Sequence, residues 1–206
     1  MSFPDDKFDD IAAFSDAYFD QIARAAASVD RAALIRAADI LENTYRRSDT
    51  LYVCGNGGSA AISGTFVCDH SKLVQTDTDL TARVVSLADN MSMVTAIAND
   101  LSYDDIFSYQ LQTLANSGDA LLTISASGDS ENVVRAAKWA KDREMKVIAF
   151  TGFDGGRMAS LASVHLHVDA DNYGVVEDVH QSLMHLLAQF IRLKQMSAEL
   201  IGKRKF

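Results

Sequence analysis

Leu51-Tyr52-Val53-Cys54-Gly55-Asn56-Gly57-Gly58-Ser59-Ala60 joins a short apolar run to a glycine-rich corner and a small-residue segment. The run reads as a buried strand and the segment after it as the start of a helix. Three glycines within four positions let the backbone turn sharply and bring its N–H groups close to a ligand. With Ser59 opening the helix, those N–H groups and the helix dipole favour an anion, most often a phosphate. An ordinary strand-to-helix turn is the plain alternative.

A second stretch repeats the arrangement. Ala120-Leu121-Leu122-Thr123-Ile124 reads as a strand, followed by Ser125-Ala126-Ser127-Gly128-Asp129-Ser130 and a helical run from Glu131. Its serines add hydroxyls to the backbone N–H groups around an oxyanion. In a parallel sheet both loops sit at the carboxyl edge, where open α/β sheets bind ligands. Two anion loops on one edge point to a single phosphorylated substrate. A dinucleotide site competes, because Gly55-Asn56-Gly57-Gly58-Ser59-Ala60 fits G-x-G-x-x-A and Asp89 follows the second strand. Asp89, however, lies well beyond the roughly 20-residue spacing of that fingerprint, and the serine loop would be left without a role.

The rest of the chain supplies the α/β rhythm. Strands are expected at 51–54, 83–87, 120–124, 146–150 and 164–168. Helices are expected over 60–73, 91–98, 103–114, 130–143 and 175–199, with Asn99-Asp100 as a helix stop. The resulting fold class is α/β: a three-layer α/β/α, doubly wound, five-stranded parallel sheet with right-handed crossovers. Two amphipathic helices precede it, about 8–27 and from an Asp30 cap onward. They can cover a sheet face or meet another subunit.

Composition narrows the partners. A net charge of −9 over 206 residues lacks the basic footprint that nucleic-acid backbones require, yet permits a small phosphate held by local N–H groups. No run approaches the ~18 apolar residues of a membrane span. Met1 to Asp6 has no basic head and apolar centre, so no secretory signal is expected. Cys54 and Cys68 are too few for a disulfide scaffold and fit a reducing cytoplasm. Cys54 simply closes the first strand.

For acid–base chemistry, Thr65 and Asp69 share a helix face, while His70 points about a third of a turn away. The last helix carries Glu177, Asp178, His180 and His185. Spacing best aligns Asp178 with His185; Glu177 and His185 diverge by about 80° but can converge on one ligand. His165 and His167 alternate on strand five and read as sheet surface.

Taken together, the blocks 54–59, 98–100, 105–107, 125–130, 151–156 and 177–185 resemble the SIS (sugar isomerase) family of sugar-phosphate domains, especially its branch acting on sedoheptulose 7-phosphate. The resemblance runs along nearly the whole chain. It implies one SIS domain over 1–206, with a helical pair at 1–48 and an α/β core at 49–206. It also implies an aldose–ketose isomerisation through an enediol(ate), no nucleotide cofactor, and a homotetramer whose sites are completed across subunits. By resemblance Asn56, Gly57, Gly58 and Ser59 contact substrate. Ser125, Ala126, Ser127 and Ser130 bind its phosphate, and Asn99 and Asp100 its hydroxyls. The family's base and acid, a Glu and a His, match Asp69 and His185, the carboxylate here being one methylene shorter, so that the helix or the substrate must shift. Its zinc ligands match Thr65, Asp69, Glu177 and His185, only the last unchanged. Asp69, Glu177 and His185 could still hold zinc or another divalent ion, with water completing the site; equally, the site works without metal, Glu177 carrying protons. A non-catalytic SIS protein that binds a sugar phosphate or the bacterial replication initiator is the alternative from a different class.

Overall fold

The computed structural model describes residues 3–206; Met1 and Ser2, part of the segment read for a targeting signal, lie outside it. Five strands form one parallel sheet: β1 (Thr50–Cys54), β2 (Arg83–Ser86), β3 (Ala120–Ser125), β4 (Lys146–Thr151) and β5 (Val164–His167), in the order β2-β1-β3-β4-β5. Leu51 pairs with Ala120 and Cys54 with Thr123. The winding direction reverses between β1 and β3, and that reversal is where a doubly wound sheet opens a crevice.

Alternate side chains of each strand face opposite layers. Leu51, Val53, Leu122, Ile124, Ile148 and Phe150 pack under α2 (Arg31–Arg46), α3 (Gly58–Cys68) and α8 (Tyr173–Gln195). Tyr52, Cys54, Leu121, Val147 and Ala149 pack under α4 (Met91–Asp100), α5 (Ser108–Leu114), α6 (Glu131–Lys141) and α7 (Met158–Leu161). Burial on both faces explains why the strands read as continuous apolar runs. Cys54 is fully buried at the end of β1, and burial pushes its thiol well above the usual range, as suits a packing residue.

The two leading helices pack differently. α2, capped by Asp30, buries Ala33, Ala37, Leu41 and Tyr45 and so covers a sheet face. α1 (Ile11–Ser28) buries little beyond Ala25 and lies along α8, leaving Ile11 and Phe19 exposed. Among the described residues no helix is long and apolar enough to cross a membrane.

Several local expectations are corrected. The helix after the first corner begins at Gly58, with Gly57 as cap, so Ser59 is inside its first turn. It does not run as α-helix to residue 73: Asp69–Val74 is a π-helix. The wider turn serves two anchors, because His70 enters the core while Asp69 reaches α8. α4 continues through Asn99 and Asp100, which bond each other on its outer side, and ends at Leu101. The 103–114 segment splits into a 3₁₀ turn (Tyr103–Asp105) and α5. α8 stops at Gln195, and a separate α9 (Ala198–Ile201) follows. His165 and His167 are half-buried rather than open sheet surface, both bonded to Thr151 Oγ1, at 2.6 and 3.1 Å.

Two histidines are core residues. His70 stacks on Phe66, with centroids 3.8 Å apart, and shares a 2.7 Å bond with the Tyr45 hydroxyl. His180 packs against Phe150, and neither of its ring nitrogens has a well-formed partner. Burial drives their pKa values down to about 3 and about 4, the neighbouring Met184 and Thr151 backbones offsetting this only in part. Both rings are therefore neutral in the fold and protonate near pH 6.5 once unfolded. The unfolded chain binds more protons below that pH, so acid erodes stability by up to about 1.4 kcal/mol per pH unit for each ring. Thermal melts from pH 7.5 to 5 should show Tm falling with pH. His180→Leu should remove about half of the slope without lowering Tm at pH 7.5, since the orphaned nitrogens go with the ring.

Candidate active site

The two loops expected to share a ligand do share a cavity. Asn56 and Ser59 from the first meet Ser125, Ala126, Ser127 and Ser130 from the second, closed by Tyr173 and Glu177 of α8. Its volume is about 130 Å³. At ~30 Å³ per water in the liquid, that is room for a phosphoryl group but not for a seven-carbon sugar. Among the described residues the hydroxyls of Ser59, Ser125 and Ser130 make no intramolecular hydrogen bond, so they remain available to a ligand; Ser127 Oγ accepts only a long 3.3 Å bond from the Asp129 N–H.

Sequence reasoning missed what holds Asn56. Its amide exchanges two 2.9 Å hydrogen bonds with that of buried Asn132, and its oxygen also accepts from the Tyr103 hydroxyl at 3.0 Å. An asparagine in the first turn of the helix after the serine loop was the available signal. Tyr173, exposed at the head of α8, was missed as well.

The corner itself already faces an anion. Gly57 adopts a φ of 55°, a backbone region that favours glycine. A Cβ on Gly58 would overlap the carboxylate of Glu177, which therefore lies against the start of α3. The helix N-terminus favours that negative charge. Burial and the adjacent Asp178 nonetheless raise the Glu177 pKa above the ordinary carboxylate value. The serine loop and the start of α6 thus carry the unpaired hydroxyls of the cavity, on the side away from Glu177.

Asp69 and His185 pair directly, with Asp69 Oδ2 at 2.6 Å from His185 Nδ1. His185 Nε2 lies 2.9 Å from the Gln181 amide. A carboxylate on one ring nitrogen orients an imidazole for proton transfer at the other. The spacing-based match of Asp178 with His185 does not occur: Asp178 accepts a 2.7 Å bond from Tyr18, which burial and this bond push up to about 12. Tyr18 thereby ties α1 to the first turns of α8.

Within one chain the Asp69–His185 pair does not line the loop cavity. Glu177 and His185 are eight residues apart on α8, about 12 Å along its axis. His185 opens instead onto a groove lined by Leu186, Phe190, Leu193 and Phe206. Asn99 and Asp100 also lie elsewhere, at the exposed end of α4; Asp100 borders a separate hollow with Met93, Leu101 and Tyr109.

No three His, Cys, Asp or Glu side chains converge on one point among the described residues. Thr65 Oγ1 bonds back to the Ala61 carbonyl, both nitrogens of His185 are engaged, and Glu177 stands apart. A single protomer therefore does not present the three donors that a catalytic zinc ion needs.

The family model for the SIS domain matches residues 17–152. A probable phosphoheptose isomerase from Thermoplasma acidophilum is 36% identical over 174 residues, 84% of this chain and 95% of that protein. The structure of phosphoheptose isomerase GmhA from Neisseria gonorrhoeae aligns with a TM-score of 0.80 at 32% identity, covering 88% of this chain and 99% of that one. A phosphoheptose isomerase structure from Francisella tularensis gives a TM-score of 0.80 at 30% identity, with 89% and 96% covered.

Calorimetric titration with inorganic phosphate tests the cavity. Ser125→Ala and Ser130→Ala should each weaken binding about tenfold, the effect of losing one hydrogen bond to a charged ligand at roughly 1.5 kcal/mol. Ser160→Ala, remote on α7, should bind as the unaltered protein does.

Proposed function

The chain belongs to the SIS domain family, and from that membership we propose that it is an aldose–ketose isomerase converting sedoheptulose 7-phosphate into D-glycero-D-manno-heptose 7-phosphate. The observation that carries the reading is the shared cavity of the two loops, with unpaired serine hydroxyls on one side and a carboxyl group of raised pKa on the other. The serine loop holds the C7 phosphate through hydroxyls and N–H groups, which suits a chain of net charge −9 because no cationic surface is needed.

The reaction moves one hydrogen between adjacent carbons. A base removes a proton from C1 of the ketose, and the electron pair forms the C1–C2 double bond as the C2 carbonyl oxygen takes a proton. The enediol then loses its O1 proton as C2 gains one, leaving the aldehyde at C1. The Asp69–His185 pair acts as base and acid at the carbons, and Glu177, its pKa raised by burial, carries the proton between the oxygens. None of these steps needs zinc or another divalent ion, and the donor set of one protomer does not favour one.

The separation of the pair from the loop cavity in one chain supports a homotetramer in which neighbouring protomers bring the two parts together. Exposed Leu186, Phe190 and Leu193 around His185, and exposed Ile11, Phe19 and Ile35 on the leading helices, are apolar surface available for such contacts. Asn99 and Asp100 are then candidates for the sugar hydroxyls from a neighbour. The product serves heptose synthesis for lipopolysaccharide or capsule in the cytoplasm.

The test is NMR of the purified protein with sedoheptulose 7-phosphate in D₂O. The expected result is aldose product carrying deuterium at C2 and solvent exchange at C1 of the ketose. Asp69→Asn and His185→Gln should each lower kcat by 10² to 10⁴, the usual contribution of a positioned acid or base. Absence of both product and exchange would leave the binding-protein alternative standing.

A further inference from the structure

The 151–156 block belongs to the family pattern, yet no role in the reaction falls to it. Its glycines interlock with the serine loop. Gly128, Gly155 and Gly156 have φ values of 64°, 81° and 51°. A Cβ on Gly128 would overlap the Gly155 carbonyl, and one on Gly156 would overlap the carbonyl of Gly128. Two backbone bonds close the seam: Gly152 N–H to Ala126 O at 2.8 Å, and Met158 N–H to Gly128 O at 3.0 Å.

Arg157, the next residue, reaches across that seam. Its Nε donates to Asp129 Oδ1, its Nη2 to the Asp129 carbonyl at 2.8 Å, and its Nη1 to Glu131 Oε2 at 2.7 Å. Glu131 is held from the other side by Arg135, which also grips Asp104 and Asp105. Because a peptide unit is planar and trans, fixing the Asp129 carbonyl turns the Ser130 N–H the opposite way. Among the described residues that N–H has no intramolecular partner, and Ser130 lines the phosphate cavity. Arg157 also offsets two carboxylates, on Asp129 and Glu131, that would otherwise repel a phosphate dianion at the same loop.

We propose that Arg157 is a positioning residue for the phosphate loop, setting affinity for the phosphorylated end of the substrate without touching the reacting carbons. The proposal rests on the reading of that loop as the phosphate site. An exposed ion pair contributes little to global stability, so Arg157→Gln should leave Tm nearly unchanged while the loop loses its fixed carbonyl. Affinity for inorganic phosphate, measured by calorimetry, should fall about tenfold. KM for sedoheptulose 7-phosphate should rise by a similar factor, with kcat changing less than KM. Arg157→Lys keeps one charge but cannot make the three-way fork, and should recover only part of the loss. Asp129→Asn in the Arg157→Gln background should also recover part, by removing a repulsive charge. Arg143→Gln, which removes a stack on Trp139 elsewhere, should match the unaltered enzyme. Phosphate affinity and KM within twofold of the unaltered enzyme in Arg157→Gln would overturn the role of Arg157 alone. Failure of the unaltered protein to bind phosphate would overturn that role together with the site it serves.

Discussion

The parallel pairing of β1 with β3 is the constraint on which the rest depends. With Cys54 set beside Thr123, the chain leaves two adjacent strands at one edge and must turn twice within the same few ångströms. The sheet reverses its winding there, so no crossover helix covers the gap. Everything that marks the site follows: a glycine corner from one strand, a serine loop from its neighbour, and the first turns of α8 across the opening. Apolar burial on both faces of the sheet fixes that geometry far more strongly than any polar contact in the site could.

Charge inside the cavity is arranged by backbone rather than by cationic side chains. The start of α3 meets Glu177, and the start of α6 carries serines with unpaired hydroxyls, the side that suits the proposed phosphate. An acidic protein can hold an acidic ligand in this way because N–H groups and hydroxyls act only at short range. The arginines nearby, Arg135 and Arg157, are spent on carboxylates of the loop and its helix. They shape the loop without presenting an open positive surface.

The Asp69–His185 contact is made by a local departure from regular helix. Asp69 stands at the first position of a π turn, a feature often found at functional sites. The π turn accompanies the contact of Asp69 with His185 at 2.6 Å. His70, one residue on, is committed to the core between Phe66 and Tyr45. Neighbouring titratable residues thus take opposite fates because the widened turn points them at different surroundings.

Strand order apart, the sequence by itself determined the α/β class, the five strands and the two loops that share a cavity. Apolar runs bounded by Gly, Ser and Asp are local signals, and each can be read without knowing its neighbours. It also offered Asp69, Glu177 and His185 as candidates for proton transfer, Asp69 and His185 through family resemblance rather than through spacing. Only the tertiary structure decided their partners. Asp178 matches His185 in spacing, yet Tyr18 of α1 takes Asp178 and the π turn delivers Asp69, because distant elements compete for each side chain. The Asn56–Asn132 amide pair and the reach of Arg157 to Asp129 likewise join residues far apart in the chain. Periodicity reports which way a side chain leaves its own helix or loop; what it meets is set by packing.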